Sequence, residues 1–165
     1  MSEESQPTQP KRVVFDANLF IQSLLSGRGP SFACLELISQ GRVILCVTES
    51  ILAEVEEVLR RLSQKAKYQK HLSADTIEAF MVLIRARAEI QPEPPHVFDL
   101  ERDKDDEVYI DLAVAVGAVY LTSRDNDLLD LMDPSTATGT EFHERFPDLT
   151  ILDPVDFLRR MREGS

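Results

Sequence analysis

Short, unbroken apolar runs alternate along this chain with stretches in which apolar residues recur at helical spacing. Arg12 to Phe15, Val43 to Val47 and Ala118 to Thr122 are of the first kind and rich in branched residues, as strands buried on both faces read. Thr150 to Leu152 adds a last strand and Glu89 to Gln91 a weak one. Between them the spacing predicts helices. Asn18 to Leu25 carries Leu19, Phe20, Leu24 and Leu25 and breaks at Gly27-Arg28-Gly29-Pro30. Ser31 reads as the N-cap, and Gly41 as the C-cap, of the next helix. Thr48 caps a helix whose apolar stripe runs Ile51, Leu52, Val55, Val58, Leu59 and Leu62. Another spans Asp75 to Ala88, ahead of Pro92 and Pro94-Pro95. Asp105 or Asp106 starts the next, with Ile110, Ala113 and Val114 inward and Gly117 closing it. Asn126 to Met132 forms a short helix and Asp133 to Thr140 a loop. A final helix runs from Asp153-Pro154 through Met161, with proline at its favoured first position.

Strands that alternate with helices belong to a parallel sheet covered on both faces, an α/β fold. A length of 165 residues fits one domain, expected over residues 12–162. Residues 1–11 begin with a Ser-, Glu-, Gln- and Pro-rich stretch that lacks both the basic start and the apolar middle of a signal peptide, and they read as a disordered tail. No apolar run approaches membrane-spanning length. Cys34 and Cys46 sit among apolar neighbours and read as reduced, buried thiols, which suits a cytoplasmic protein.

Charge changes the picture. A net charge of −11 argues against nucleic-acid binding by overall electrostatics. The charge is unevenly spread, however. Arg60, Arg61, Lys65, Lys67 and Lys70 fall in one stretch without acids, whereas Asp99 to Asp111 is strongly acidic.

The acids fall at telling places. Val13-Val14-Phe15 stops at Asp16, with Asn18 two residues on. The strand ending at Thr122 runs into Ser123-Arg124-Asp125-Asn126-Asp127, Asp103 to Asp106 opens a helix, and Glu54 lies near the edge of a buried helical stripe. Ligands of an open parallel sheet collect beyond the carboxyl ends of its strands, so these carboxylates would share one acidic pocket. Each also has a plainer explanation. Asp16 or Asn18 suits a helix cap, Glu54 a solvated helix margin, the Asp103 cluster a helix N-terminus, and Asp125 a turn. His71, His96 and His143 are scattered, and no Ser or Cys is tied to a base.

Taken in order, Val13-Val14-Phe15-Asp16-Ala17-Asn18, Thr48 with Glu54, Asp103-Lys104-Asp105-Asp106 with Ile110, Ala113 and Gly117-Ala118, Tyr120-Leu121-Thr122-Ser123-Arg124-Asp125 with Asp127, and Leu149 to Pro154 with Phe157 resemble a PIN domain. The resemblance covers roughly Arg12 to Leu158 and is to the PIN-family toxins of bacterial toxin–antitoxin systems. It implies a three-layer α/β/α fold with a five-stranded parallel sheet and a Mg2+- or Mn2+-dependent endoribonuclease that cleaves single-stranded RNA. By position it makes Asp16, Glu54, Asp106 and Asp125 the catalytic metal ligands. Asn18 and Ser123 become polar support, and Asp103 and Asp127 outer ligands. It also implies a cognate antitoxin partner, and a homodimer is common in the family. Arg124 departs from the small residue usual there; a guanidinium at that point would grip a phosphate or clamp the acids closed. Arg60, Arg61 and Lys65 would guide the RNA strand.

Two other function classes fit parts of this pattern. One is a non-catalytic PIN-like module that binds RNA or a protein. The other is a phosphoryl-transfer enzyme with Asp16 as nucleophile, weakened by Asn18 where a second aspartate is usual.

Overall fold

The apolar runs become strands of one sheet. In the computed structural model, which describes residues 9–163, they are β1 (Lys11–Phe15), β2 (Val43–Thr48), β3 (Glu89–Gln91), β4 (Tyr120–Thr122) and β5 (Thr150–Leu152). All neighbours pair in parallel, in the order β3-β2-β1-β4-β5. The helices are α1 (Ala17–Ser26), α2 (Pro30–Ser39), α3 (Glu49–Ser63), α4 (Ala74–Arg87), α5 (Glu107–Val116), α6 (Asn126–Leu129), α7 (Ala137–Arg145) and α8 (Pro154–Glu163).

From β1 the chain moves to one side of the sheet through β2 and β3, then crosses to β4 and β5 on the other. Helices α1 to α4 pack on one another in one layer, where α2 also meets α8, while α5 lies against β1, β2 and β4. The central strands are buried on both faces, and Phe15 packs its ring against Phe20 of α1 and Phe157 of α8. The change of direction between β1 and β4 opens a crevice beyond their carboxyl ends, at Asp16 and Ser123.

Local chemistry explains most element ends. Thr48 caps α3 by accepting from the Ile51 N–H, and Gly117 ends α5 in the left-handed region at φ 67°. Several details differ from the sequence expectation. Helix α2 starts at Pro30, so Ser31 lies inside it, buried, and Gly29 takes the cap position. Asp103 to Asp106 folds as a 3-10 turn before α5 begins. The second half of the expected loop at 133–140 belongs to α7, because Thr136 caps that helix through the Gly139 N–H and Phe142 is buried against Phe98 and Phe146. Lys11, assigned to the tail, belongs to β1; residues 1–8 of that tail lie outside the described residues. Both cysteines are free and buried, and no helix among the described residues is long and apolar enough to cross a membrane.

Candidate metal centre

At the end of β1 the backbone must leave the sheet, and Asp16 serves two purposes there. Its Oδ1 accepts the Leu19 N–H at 3.0 Å, capping α1. Its Oδ2 accepts the Ser123 hydroxyl at 2.5 Å. Ser123 Oγ in turn accepts the Asp125 N–H at 2.9 Å, so one hydroxyl ties the ends of β1 and β4 together. The capping role and membership of an acidic pocket are therefore both true of Asp16. The same holds for Asp125, whose Oδ1 accepts the Asp127 N–H at 2.9 Å, and for Asp103, which accepts from the Asp105 N–H at 3.1 Å.

The tightest convergence of carboxylates is Asp103, Asp106, Asp125 and Asp127, with one oxygen from each lying within 4.8 Å of the others. Asp16 adjoins this group, next to Asp125 and Glu54 by charge as well as by its hydrogen bond to Ser123. Sequence position made Asp103 and Asp127 outer ligands, whereas the fold sets them in the closest group. Adjacent Asp105 is exposed, so Asp106 is the member of that pair facing the pocket.

Two ionised carboxylates 4.8 Å apart repel by roughly 3 kcal/mol at an effective dielectric near 20. Burial first, and the Ser123 and Leu19 hydrogen bonds against it, leave the Asp16 carboxyl raised to about 6, with the charges of Asp125 and Glu54 adding to the rise. Asp106 is pushed well above the usual carboxylate range, chiefly by burial, then by its contact with Asp125 and by the charges around it. The Oδ2 of Asp106 is buried and has no hydrogen-bond partner. A buried oxygen without a donor, within a group of hard oxygen ligands, fits a hard divalent cation.

Glu54 is exposed on α3, yet it faces the pocket through Tyr109, whose hydroxyl donates to Glu54 Oε2 at 3.3 Å. The same Tyr109 oxygen accepts the Ala17 N–H at 3.1 Å. Tyr109 is buried, and sequence reasoning missed it. The signal was there, since a tyrosine on the inward face of an apolar helix needs a partner for its hydroxyl.

Arg102 was missed as well. Its guanidinium spans Asp127 at 2.8 Å and Asp130 at 2.7 Å, so the cation beside the acids comes from the loop ahead of α5. Arg124 does not fill that place. It is exposed, its charge acts on Cys34, and among the described residues it forms no ion pair with the acids. Asn18 is exposed, and the polar support of Asp16 comes from Ser123 and the Leu19 backbone. Arg60 and Arg61 end α3, with Lys65 in the turn beyond, and all are exposed. Arg60 pairs with Glu56 at 3.5 Å. Arg61, seven residues after Glu54, continues the same helical side about 10 Å further along.

The PIN domain family pattern matches residues 12–127, which include Asp16, Glu54, Asp103, Asp106, Asp125 and Asp127. An uncharacterized protein of Methanocaldococcus jannaschii is 29% identical over 122 residues, 74% of this chain and 76% of that one. Among solved structures, PAE2754 from Pyrobaculum aerophilum is similar with a TM-score of 0.56 and 14% identity, over 99% of each chain. VapBC2 from Rickettsia felis, solved with a DNA fragment from their promoter, is similar with a TM-score of 0.52 and 14% identity. That likeness covers 86% of this chain and 98% of the other. The family pattern spans well over half of the chain, on a five-stranded parallel sheet with the acids at its switch point, and the chain belongs to the PIN domain family.

Proposed function

We propose that this protein is a Mg2+- or Mn2+-dependent endoribonuclease that cleaves single-stranded RNA, acting in the cytoplasm as the toxin of a toxin–antitoxin pair. The observation that carries this reading is the convergence of Asp103, Asp106, Asp125 and Asp127 around a buried Asp106 oxygen that has no donor.

Asp106, Asp125 and their neighbours would hold the cation, with Asp16 and Glu54 beside them. A divalent cation supplies charge neutralisation at the scissile phosphate and lowers the pKa of the attacking water. The protein's own part is positional. Ser123 fixes Asp16 relative to Asp125, and Tyr109 sets Glu54. Arg61, Lys65 and Arg124 supply positive charge for a backbone that the net charge of −11 would otherwise repel.

The antitoxin partner is supported by the motif resemblance to PIN-family toxins and by the fold shared with VapBC2. An apolar groove of about 240 Å³, lined by Leu24, Phe32, Leu35, Phe80 and Leu83, offers a protein partner apolar surface to cover. A homodimer is the further expectation from the family.

The Arg102 ion pair with Asp127 favours a second reading, a non-catalytic module that binds RNA or protein, because the chain supplies its own cation at the acids. One experiment separates the two. Purified protein is incubated with mixed-sequence single-stranded RNA, with and without Mn2+, beside Asp106→Asn. Metal-dependent cleavage that the variant loses supports the nuclease; folded, Mn2+-loaded protein that leaves the RNA intact supports the module.

A further inference from the structure

We propose that His96, Asp99 and Glu107 form a second metal site, selective for an imidazole-binding transition ion such as Zn2+ and separate from the carboxylate pocket. One ligand atom from each of the three lies within 4.8 Å of the others.

The ring of His96 is already oriented for this. Asp111 is buried, and its Oδ2 lies 2.9 Å from His96 Nδ1 while its Oδ1 accepts the Val97 N–H at 2.9 Å. An ionised carboxylate only accepts, so Nδ1 carries a hydrogen toward buried Asp111, and Nε2, on the exposed Asp99 side, is the nitrogen that can exchange its proton for a metal. A buried carboxylate that accepts from one ring nitrogen and aims the other outward is the arrangement by which metal-binding histidines are held. Nε2 faces Asp99 Oδ1 at 2.7 Å. Glu107 commits Oε2 to the Leu100 N–H at 2.6 Å and retains its other oxygen.

In the absence of metal, a proton on Nε2 bridges His96 to Asp99. Metal binding replaces it: the Nε2–H bond breaks, the proton goes to solvent, and the nitrogen pair is donated to the ion. One imidazole with two carboxylates suits Zn2+, whereas the all-oxygen pocket suits Mg2+ or Mn2+. The second site would have a structural consequence. It would fasten the loop that carries Arg102 and Asp103 to the first turn of α5, next to Asp106.

The test is calorimetric titration of untagged full-length protein with Zn2+, alongside His96→Gln, Asp99→Asn and Asp106→Asn. The Asp99 side chain is 87% exposed, so its replacement leaves the fold unburdened. Asp106→Asn should retain the Zn2+ site that depends on His96. His96→Gln and Asp99→Asn should each weaken binding about tenfold or more, and Asp111→Asn by about 10- to 100-fold as a positioning residue. In nitrogen NMR spectra the His96 Nε2 resonance should move on Zn2+ addition while Nδ1 stays protonated. Equal Zn2+ affinity in wild type and His96→Gln would overturn the proposal, as would loss of binding in Asp106→Asn alone. Either result would place the ion away from His96. This readout is independent of RNA cleavage, so the nuclease reading can fail without it.

Discussion

Ser123 and Asp16 lie on different strands and share one short hydrogen bond: the Ser123 hydroxyl donates to Asp16 Oδ2 at 2.5 Å while its oxygen accepts the Asp125 N–H at 2.9 Å. Asp16 and Asp125 are thus held in one geometry by a single side chain. Ser123→Ala should therefore weaken Mn2+ binding about 10- to 100-fold, as loss of a ligand-orienting partner does. Titration of Mn2+ into the folded variant checks this, and unchanged affinity would show that the strands alone position the acids.

Asp16 should make the metal-free protein less stable as pH rises. Its folded carboxyl sits near 6 against an ordinary 3.8, mainly through burial. The native state therefore holds this proton more tightly than the unfolded chain, and ionisation opposes folding. The loss should begin above about pH 4 and level off above about pH 6, amounting to about 3 kcal/mol. Urea unfolding of wild type and Asp16→Asn should give similar stabilities near pH 4, with the variant the more stable at pH 7.5. Mn2+ should narrow the gap. A difference that does not change with pH would disprove the assignment.

Tyr109→Phe removes the acceptor of the buried Ala17 N–H and the donor to Glu54. An unsatisfied buried donor costs about 1–3 kcal/mol. Urea denaturation should show a loss in that range, and Glu54 should no longer be fixed toward Asp16. A loss below about 0.5 kcal/mol would mean that water replaces the hydroxyl.

Arg102 sits where it can compete with a cation at Asp127. Arg102 itself is exposed, so its two ion pairs are screened by solvent and Arg102→Ala should barely alter stability. Freed of that charge, Asp127 and Asp130 should let Mn2+ bind up to about fivefold tighter. Weaker binding would instead make Arg102 part of the support that holds Asp127 in place.

The strand runs, most helix spans and the parallel α/β class were legible because buried strands and amphipathic helices leave period-based patterns that need only local sequence. Asp16 and Asp125 could be singled out for the same reason, each standing just past an apolar run, whereas Asp106 was singled out by the resemblance to PIN domains. Helix α7 was not. Its stability comes from Phe142 packing on Phe98, a contact between residues 44 positions apart in the sequence, which no local pattern encodes. The reordering of the acids has the same origin. Sequence shows which carboxylates lie near strand ends, but distances between side chains from different crossovers are set by the packing of β1, β4 and α5. Tyr109, Arg102 and the His96–Asp111 pair acquire their partners only in three dimensions, because hydrogen bonds and ion pairs join residues that sequence spacing leaves unrelated. The sequence by itself determined the layers and the acidic character of the switch point; the tertiary structure decided which charges meet there, since a Coulomb or hydrogen-bond energy depends on ångströms that folding alone fixes.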